Sequence, residues 1–136
     1  MGQQEQTEYE EVAAQVLAIP RYKKKTDQNM IRKLLTLLGA PQEQLKFIHV
    51  AGTNGKGSVC AFLRQIGWEN GKRIGMFTSP HLLDMRERIR LNDEMISEQD
   101  FVACYHRVKK AEQKHKEQGG EPATFFEFIF CMACCY

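Results

Sequence analysis

The chain has 136 residues, one domain's worth and enough to bury a modest core. With 43% hydrophobic and 26% charged residues it has an ordinary soluble composition, and a formal charge of +2 is too small to argue for a nucleic-acid partner. The N-terminus MGQQEQTEYEEV lacks the regions of a secretion signal, Gln6 breaks a myristoylation motif at Gly2, and the longest apolar run, Phe128 to Tyr136, is nine residues and too short to span a bilayer. Five cysteines without disulfide-like spacing are then expected as reduced thiols, in a cytoplasmic protein with no membrane partner.

From Glu5 to Ala18 the residues Tyr9, Val12, Ala13, Val16 and Leu17 recur at helical intervals, which predicts an amphipathic helix ended by Pro20. Arg21, Lys23, Lys24 and Lys25 follow as a basic connector, for which a solvated loop is a simpler reading than an anion contact. Thr26 or Asp27 can cap a second helix with Met30, Ile31, Leu34, Leu35 and Leu38 on its apolar face. Gly39 stops it and Pro41 prevents resumption.

The stretch LKFIHVAGTNGKGS, Leu45 to Ser58, carries the densest signal. Phe47, Ile48 and Val50 read as a short buried strand, and the helix expected from Ser58 to Asn70 follows a turn containing Gly52, Thr53, Asn54, Gly55, Lys56 and Gly57. Glycines open such a turn to close approach by a ligand, and a helix start brings unpaired N–H groups and a positive dipole end to the same point. Lys56 adds a full charge, and the Ser58 hydroxyl lies within reach of a metal on a bound phosphate. The usual phosphate loop is G-x-x-x-x-G-K-[ST]; here Gly52 and Gly55 stand too close together and Gly57 intervenes between Lys56 and Ser58. A tight strand-helix turn with an incidental lysine is the plainer alternative.

Val59, Phe62, Leu63 and Ile66 share one side of that helix, Gly71 ends it, and Ile74 to Phe77 reads as a second strand. Strand, glycine turn, helix and strand make a βαβ unit, so the strands are expected parallel, with ligands beyond their carboxyl ends. Both the glycine turn and Ser79 fall at that edge. Thr78 to Ile96, with Pro80, His81, Arg86, Glu87, Arg88 and Arg90, is expected as a long functional loop, against the alternative of a solvated charged surface. Ser97 and Asp100 suggest a capping box before a helix through Phe101, Val102, Tyr105 and Val108, whose polar far half, Lys109 to Gln118, is expected in solvent before Gly119 and Gly120 end it. Thr124 and Glu127 make another capping box, which by itself accounts for both residues. Cys131, Cys134 and Cys135 read as small thiols in a buried helix rather than a zinc site, since no further ligands follow.

Taken together, HVAGTNGKGS, TSPHLLDMRERIRLN and TFFEF, in that order, resemble the folylpolyglutamate synthase and dihydrofolate synthase family of Mur-ligase-like, ATP-dependent amide ligases. The resemblance runs from about Ile19 to the last residue. It implies an α/β fold: the start of a parallel-sheet P-loop ATPase domain of the Mur-ligase central-domain type, truncated. Residues 1–44 would be an N-terminal helical segment packing on that domain, residues 45–136 its incomplete N-terminal part, and the C-terminal domain would be absent. ATP phosphates would be held by Gly52, Thr53, Asn54, Gly55, Lys56, Gly57 and Ser58, with Lys56 acting in catalysis. Mg²⁺ would be held by Ser79 and Glu127, which requires Glu127 to point toward the sheet edge while it caps its helix. Pro80, His81, Arg86 and Arg88 would belong to a substrate loop, although a structural role for His81 stays open.

The implied reaction adds L-glutamate to the γ-carboxylate of folate through an acyl phosphate, with dihydrofolate synthase activity on dihydropteroate or a non-catalytic nucleotide-binding fragment as alternatives. The full-length enzyme is expected to be a monomer. The apolar helix running to Tyr136 without a cap, and the family's glutamate site between two domains, lead to the expectation of an inactive and poorly folding fragment.

Overall fold

The structure is a computed structural model that describes residues 7–23 and 28–136. Its helices are α1 (Glu8–Leu17), α2 (Gln28–Leu37), α3 (Lys56–Glu69), α4 (Glu98–Glu117) and α5 (Phe125–Cys135), and its strands are β1 (Gly75–Phe77), β2 (Ile89–Leu91) and β3 (Glu94–Met95). The chain divides into two units, one of residues up to Leu45 together with Glu98–Tyr136, the other Lys46–Ser97. No described helix is long and apolar enough to cross a membrane.

The first unit is helical. Thr7 starts α1 with a capping box, its hydroxyl accepting from the Glu10 amide at 3.2 Å while the Glu10 carboxylate accepts from the Thr7 amide at 2.9 Å. Val12 and Val16 are buried as the periodicity predicts, whereas Leu17 is exposed. The caps expected at Thr26 or Asp27, and Lys24 and Lys25 of the connector, lie outside the described residues. Met30, Leu34, Leu35 and Leu38 are buried along α2, and Gly39, at φ +90°, takes the left-handed conformation that ends it. The core then closes on α4 and α5, where Phe101, Val108, Phe128, Ile129 and Met132 are fully buried, each side chain worth about 1.5–3 kcal/mol. Tyr9 meets Phe101 edge-on at 5.4 Å, and Tyr105 lies against Phe128 at 5.7 Å.

The far half of α4 is not wholly in solvent: its lysines are exposed as expected, but one face is buried. Ala111, Glu112 and His115 continue the buried face of Phe101, Cys104, Tyr105 and Val108 at helical spacing, so a charged residue and a histidine occupy core positions that a hydropathy pattern marks as polar. Gly119, at φ +82°, ends the helix, and a Cβ on Gly120 would come within 2.3–2.5 Å of the His115 ring.

The second unit holds the sheet, and it is antiparallel: β1 pairs with β2, Gly75 opposite Leu91 and Phe77 opposite Ile89, and β2 pairs with β3 across the Asn92–Asp93 turn. The parallel pairing expected between residues 45–51 and 74–77 is not formed among the described residues. Parallel ladders need both faces covered. Here Phe47 is 59% and Ile48 75% exposed, and no residue of α3 is buried, so the expected strand joins no ladder among the described residues and α3 leaves Val59, Phe62, Leu63 and Ile66 on the surface. Only the second expected strand, now β1, is in place.

Nor is 78–96 an irregular loop. It contains a cis peptide at Ser79–Pro80, a 3₁₀ turn at Met85–Arg88, and both β2 and β3. Asn92, at φ +53°, donates its amide to the carbonyl of Ile74, the residue before β1, at 2.7 Å, and its side-chain oxygen accepts from the Ile74 amide at 3.0 Å. Arg64 of α3 reaches the same turn at the Asn92 carbonyl and the Asp93 carboxylate. Glu87 organises the segment before it: its carboxylate accepts from the amides of Leu82 (2.9 Å), Leu83 (2.9 Å) and Asp84 (2.8 Å). Those amides lower its pKa from the ordinary 4.5 to about 2.

Two outcomes follow from this packing. Gly120→Ala drives a methyl into the buried His115 ring and should cost about 1–3 kcal/mol in urea denaturation; an unchanged midpoint would show that the ring yields. Because the folded-state pKa of Glu87 is depressed, its clamp is fully present above pH 4.5 and is lost as pH falls through about 2. Amide exchange at Leu82 and Leu83 should therefore accelerate in Glu87→Ala at neutral pH, and equal rates in the two proteins would exclude the clamp.

Candidate functional site

The glycine turn behaves as an open helix start. Gly55 is the N-cap residue of α3 at φ +76°, a conformation that costs a side chain of any other type, and no side chain caps the helix. Residues Gly52 to Ser58, including Thr53, Asn54 and Gly57, are all exposed, and added Cβ atoms at Gly55 and Gly57 would meet nothing within 4 Å. Packing therefore does not explain these glycines. The Lys56 ammonium folds back over the turn and donates to the Gly52 carbonyl at 2.5 Å. Exposed first-turn N–H groups, a positive dipole end and a lysine across the same turn make a place where an anion is stabilised.

Ser79 lies two residues past the end of β1 and is exposed, with Pro80 beside it. The Thr78 amide donates to the Arg88 carbonyl at 3.0 Å, which ties the two ends of the segment together. The charged residues of this segment pair with one another. Arg86 makes a two-pronged ion pair with Asp84 at 2.7 and 3.0 Å, and buried Arg88 donates to Nδ1 of His81 at 2.7 Å. His81 thus accepts from a buried arginine within its own segment, a contact compatible with the structural role that the sequence left open.

Glu127 belongs to the first unit, at the start of α5. Its Oε2 accepts from the Thr124 amide at 2.8 Å and from the Lys23 ammonium at 3.0 Å, while its own amide donates to the Thr124 hydroxyl at 3.4 Å. Burial pushes its pKa up, but the Thr124 amide and Lys23 outweigh that and hold it below the ordinary carboxylate value. Lys23 is consequently no solvated connector residue; its side chain is 16% exposed and paired with a residue 104 positions away.

No group of three or more His, Cys, Asp or Glu among the described residues could hold a metal ion by itself. A hydroxyl and an ionised carboxylate are hard oxygen donors, and Mg²⁺ commonly takes one or two protein ligands and completes its shell with phosphates and water, so Ser79 and Glu127 fit it chemically. The cysteines do not compete: burial pushes the thiols of Cys104 and Cys134 up to about 11 and that of Cys131 higher still, which leaves them protonated. Sequence reading missed Lys23 and Asp84 as partners of site residues, and Glu87 as the acceptor that orders the loop. The D-x-x-E spacing of Asp84 and Glu87 was a signal available for the loop; nothing local pointed to Lys23.

No family model matches the chain. It is 36% identical, over 94% of its length, to the folylpolyglutamate synthase of Lacticaseibacillus casei, of which it spans 30%. It is 32% identical, over 96% of its length, to the dihydrofolate synthase/folylpolyglutamate synthase of Bacillus subtilis, again spanning 30%. Among solved structures, an FPGS–AMPPCP–folate complex matches with a TM-score of 0.88 at 36% identity, over 96% of this chain and 32% of that one. The folylpolyglutamate synthase of Thermotoga maritima matches with a TM-score of 0.84 at 38% identity, over 94% and 30%. The chain thus spans less than a third of the length of these relatives, and in sequence and fold it matches them almost from end to end of itself. It belongs to the family of folylpolyglutamate and dihydrofolate synthases.

Proposed function

We propose that this chain supplies the ATP phosphate-binding part of a ligase that joins L-glutamate to the γ-carboxylate of a folate. The observation that carries the reading is the exposed, uncapped start of α3, where Gly55 at positive φ and Lys56 stand where phosphates would be received. In support, one relative is a complex with AMPPCP and folate, and the Mycobacterium tuberculosis folylpolyglutamate synthase is a complex with ADP. In this reading residues 45–51 take the place of the strand that delivers a phosphate loop in a parallel P-loop sheet. They join none of the strands of the described sheet, and their apolar residues Phe47, Ile48 and Val50 suit that role.

The chemistry would run as carboxylate activation. The first-turn amides of α3 and the Lys56 ammonium, released from the Gly52 carbonyl, would stabilise charge on the phosphates as the γ-phosphoryl group moves to a carboxylate oxygen. Ser79 and Glu127 would each offer an oxygen ligand to Mg²⁺, which supplies charge neutralisation on the phosphate oxygens. Glu127 would arrive ionised, because the Thr124 amide and Lys23 keep its pKa low. His81, Arg86 and Arg88 would shape the loop after Ser79 through pairs within it, more than by reaching substrate themselves. The amine of L-glutamate would then displace phosphate from the acyl phosphate, forming the amide, with no protein nucleophile. Addition of the first glutamate to dihydropteroate is the second reading, favoured by the double name of the Bacillus subtilis relative.

Lys56→Ala should weaken ATP binding at least about tenfold, equivalent to about 1.4 kcal/mol, in calorimetric titration; wild-type affinity would remove the glycine turn from the site. In an enzyme of the relatives' full length, ADP release should require both folate and glutamate, whereas release without either would indicate a simple nucleotidase. Glu127→Gln should raise the Mg²⁺ concentration needed for nucleotide binding several-fold, and an unaltered requirement would end its assignment as a ligand.

A further inference from the structure

We propose that Glu112 is a positioning residue, whose buried carboxylate fixes the entry into α5 and thereby the Glu127 side chain to which the proposed function assigns Mg²⁺. Glu112 is 4% exposed, on the half of α4 that hydropathy alone would leave in water. Its Oε2 accepts from the Ala123 amide at 3.1 Å, and its Oε1 faces the ammonium groups of Lys109 at 3.2 Å and Lys116 at 3.7 Å. Both lysines are themselves about half exposed, at 51% and 42%, so they reach inward over the helix surface to a charge that does not reach out.

The amide that Glu112 holds is the first of three in a row with a fixed acceptor. Ala123 donates to Glu112, Thr124 donates to Glu127 at 2.8 Å, and Phe125 donates to the Pro20 carbonyl at 3.0 Å. Ala123 and Thr124 are both buried, so none of these donors has water as an alternative. Glu112 reaches this run from α4, across the connection that holds Gly119 and Gly120. Replacing a buried ion cluster by a leucine of similar volume is often neutral or stabilising, so a carboxylate retained at a core position is not explained by stability alone. What it adds here is direction: it sets where Thr124 begins the helix, and Thr124 sets both hydrogen bonds of its capping box with Glu127.

The inference rests on the Mg²⁺ role of Glu127, and three variants of the full chain separate the two. Amide exchange at residues 123–127 and the Mg²⁺ dependence of nucleotide binding are measured for Glu112→Leu, Glu112→Gln and Glu127→Gln. Glu112→Leu is expected to keep or raise the thermal midpoint, to speed exchange at Ala123 at least tenfold, and to raise the Mg²⁺ requirement several-fold. Glu112→Gln retains an oxygen acceptor for the Ala123 amide and should return both readouts most of the way to wild type. If Glu127→Gln shifts the Mg²⁺ requirement and Glu112→Leu does not, or if the glutamine variant matches the leucine variant, the positioning role is overturned while the site assignment stands. An unchanged requirement in Glu127→Gln overturns both.

Discussion

The Glu127 carboxylate is the point at which the demands on the first unit converge. It is partly buried, where an isolated charge is costly, and it is retained because an amide and an ammonium meet it there. The amide belongs to Thr124 and starts α5; the ammonium belongs to Lys23 and anchors the connector after α1. A capping box alone contributes about 1 kcal/mol to its helix. Here the same carboxylate also joins segments 104 residues apart, so the helix start, the connector and the candidate metal ligand are held by one group.

The second unit uses a carboxylate the same way. Glu87 takes three successive amides and turns the chain after the cis Ser79–Pro80 peptide into a defined turn, with Leu82 and Leu83 fully on the surface. Asp84 and His81 neutralise or orient the arginines that flank it. A segment dense in charge is thereby ordered by its own short-range pairs. Such order matters at a site, because catalysis depends on groups already placed when the substrate arrives.

The glycine turn differs from both, since no side chain caps the helix it starts. Gly55 and Gly57 adjoin open space, and Lys56 bends back to the Gly52 carbonyl. Structural turns usually spend their hydrogen-bonding groups internally. A turn left open in this way is suited to an anion, and the departure from the usual phosphate-loop spacing does not alter that physics, which depends on amides at a helix start and one nearby positive charge.

Local features were legible in the sequence because their causes are local. The α3 start at the glycine turn, the end of α2 at Gly39, the Thr124–Glu127 capping box and the existence of β1 each depend on residues within a few positions of one another. The three motifs likewise sufficed for the family. Strand pairing was not legible: the apolar run at 45–51 reads as a buried strand, yet burial requires a covered sheet, and here β1 takes an antiparallel partner from a segment read as a loop. The same limit hid Lys23 behind Glu127 and placed Glu112 in the core rather than in water. Spacing along the chain determines which residues share a turn or a helix face. Which distant charge will neutralise a carboxylate, and which strand will fill an edge, depends on what folding brings within about 3 Å, and that only the tertiary structure decided.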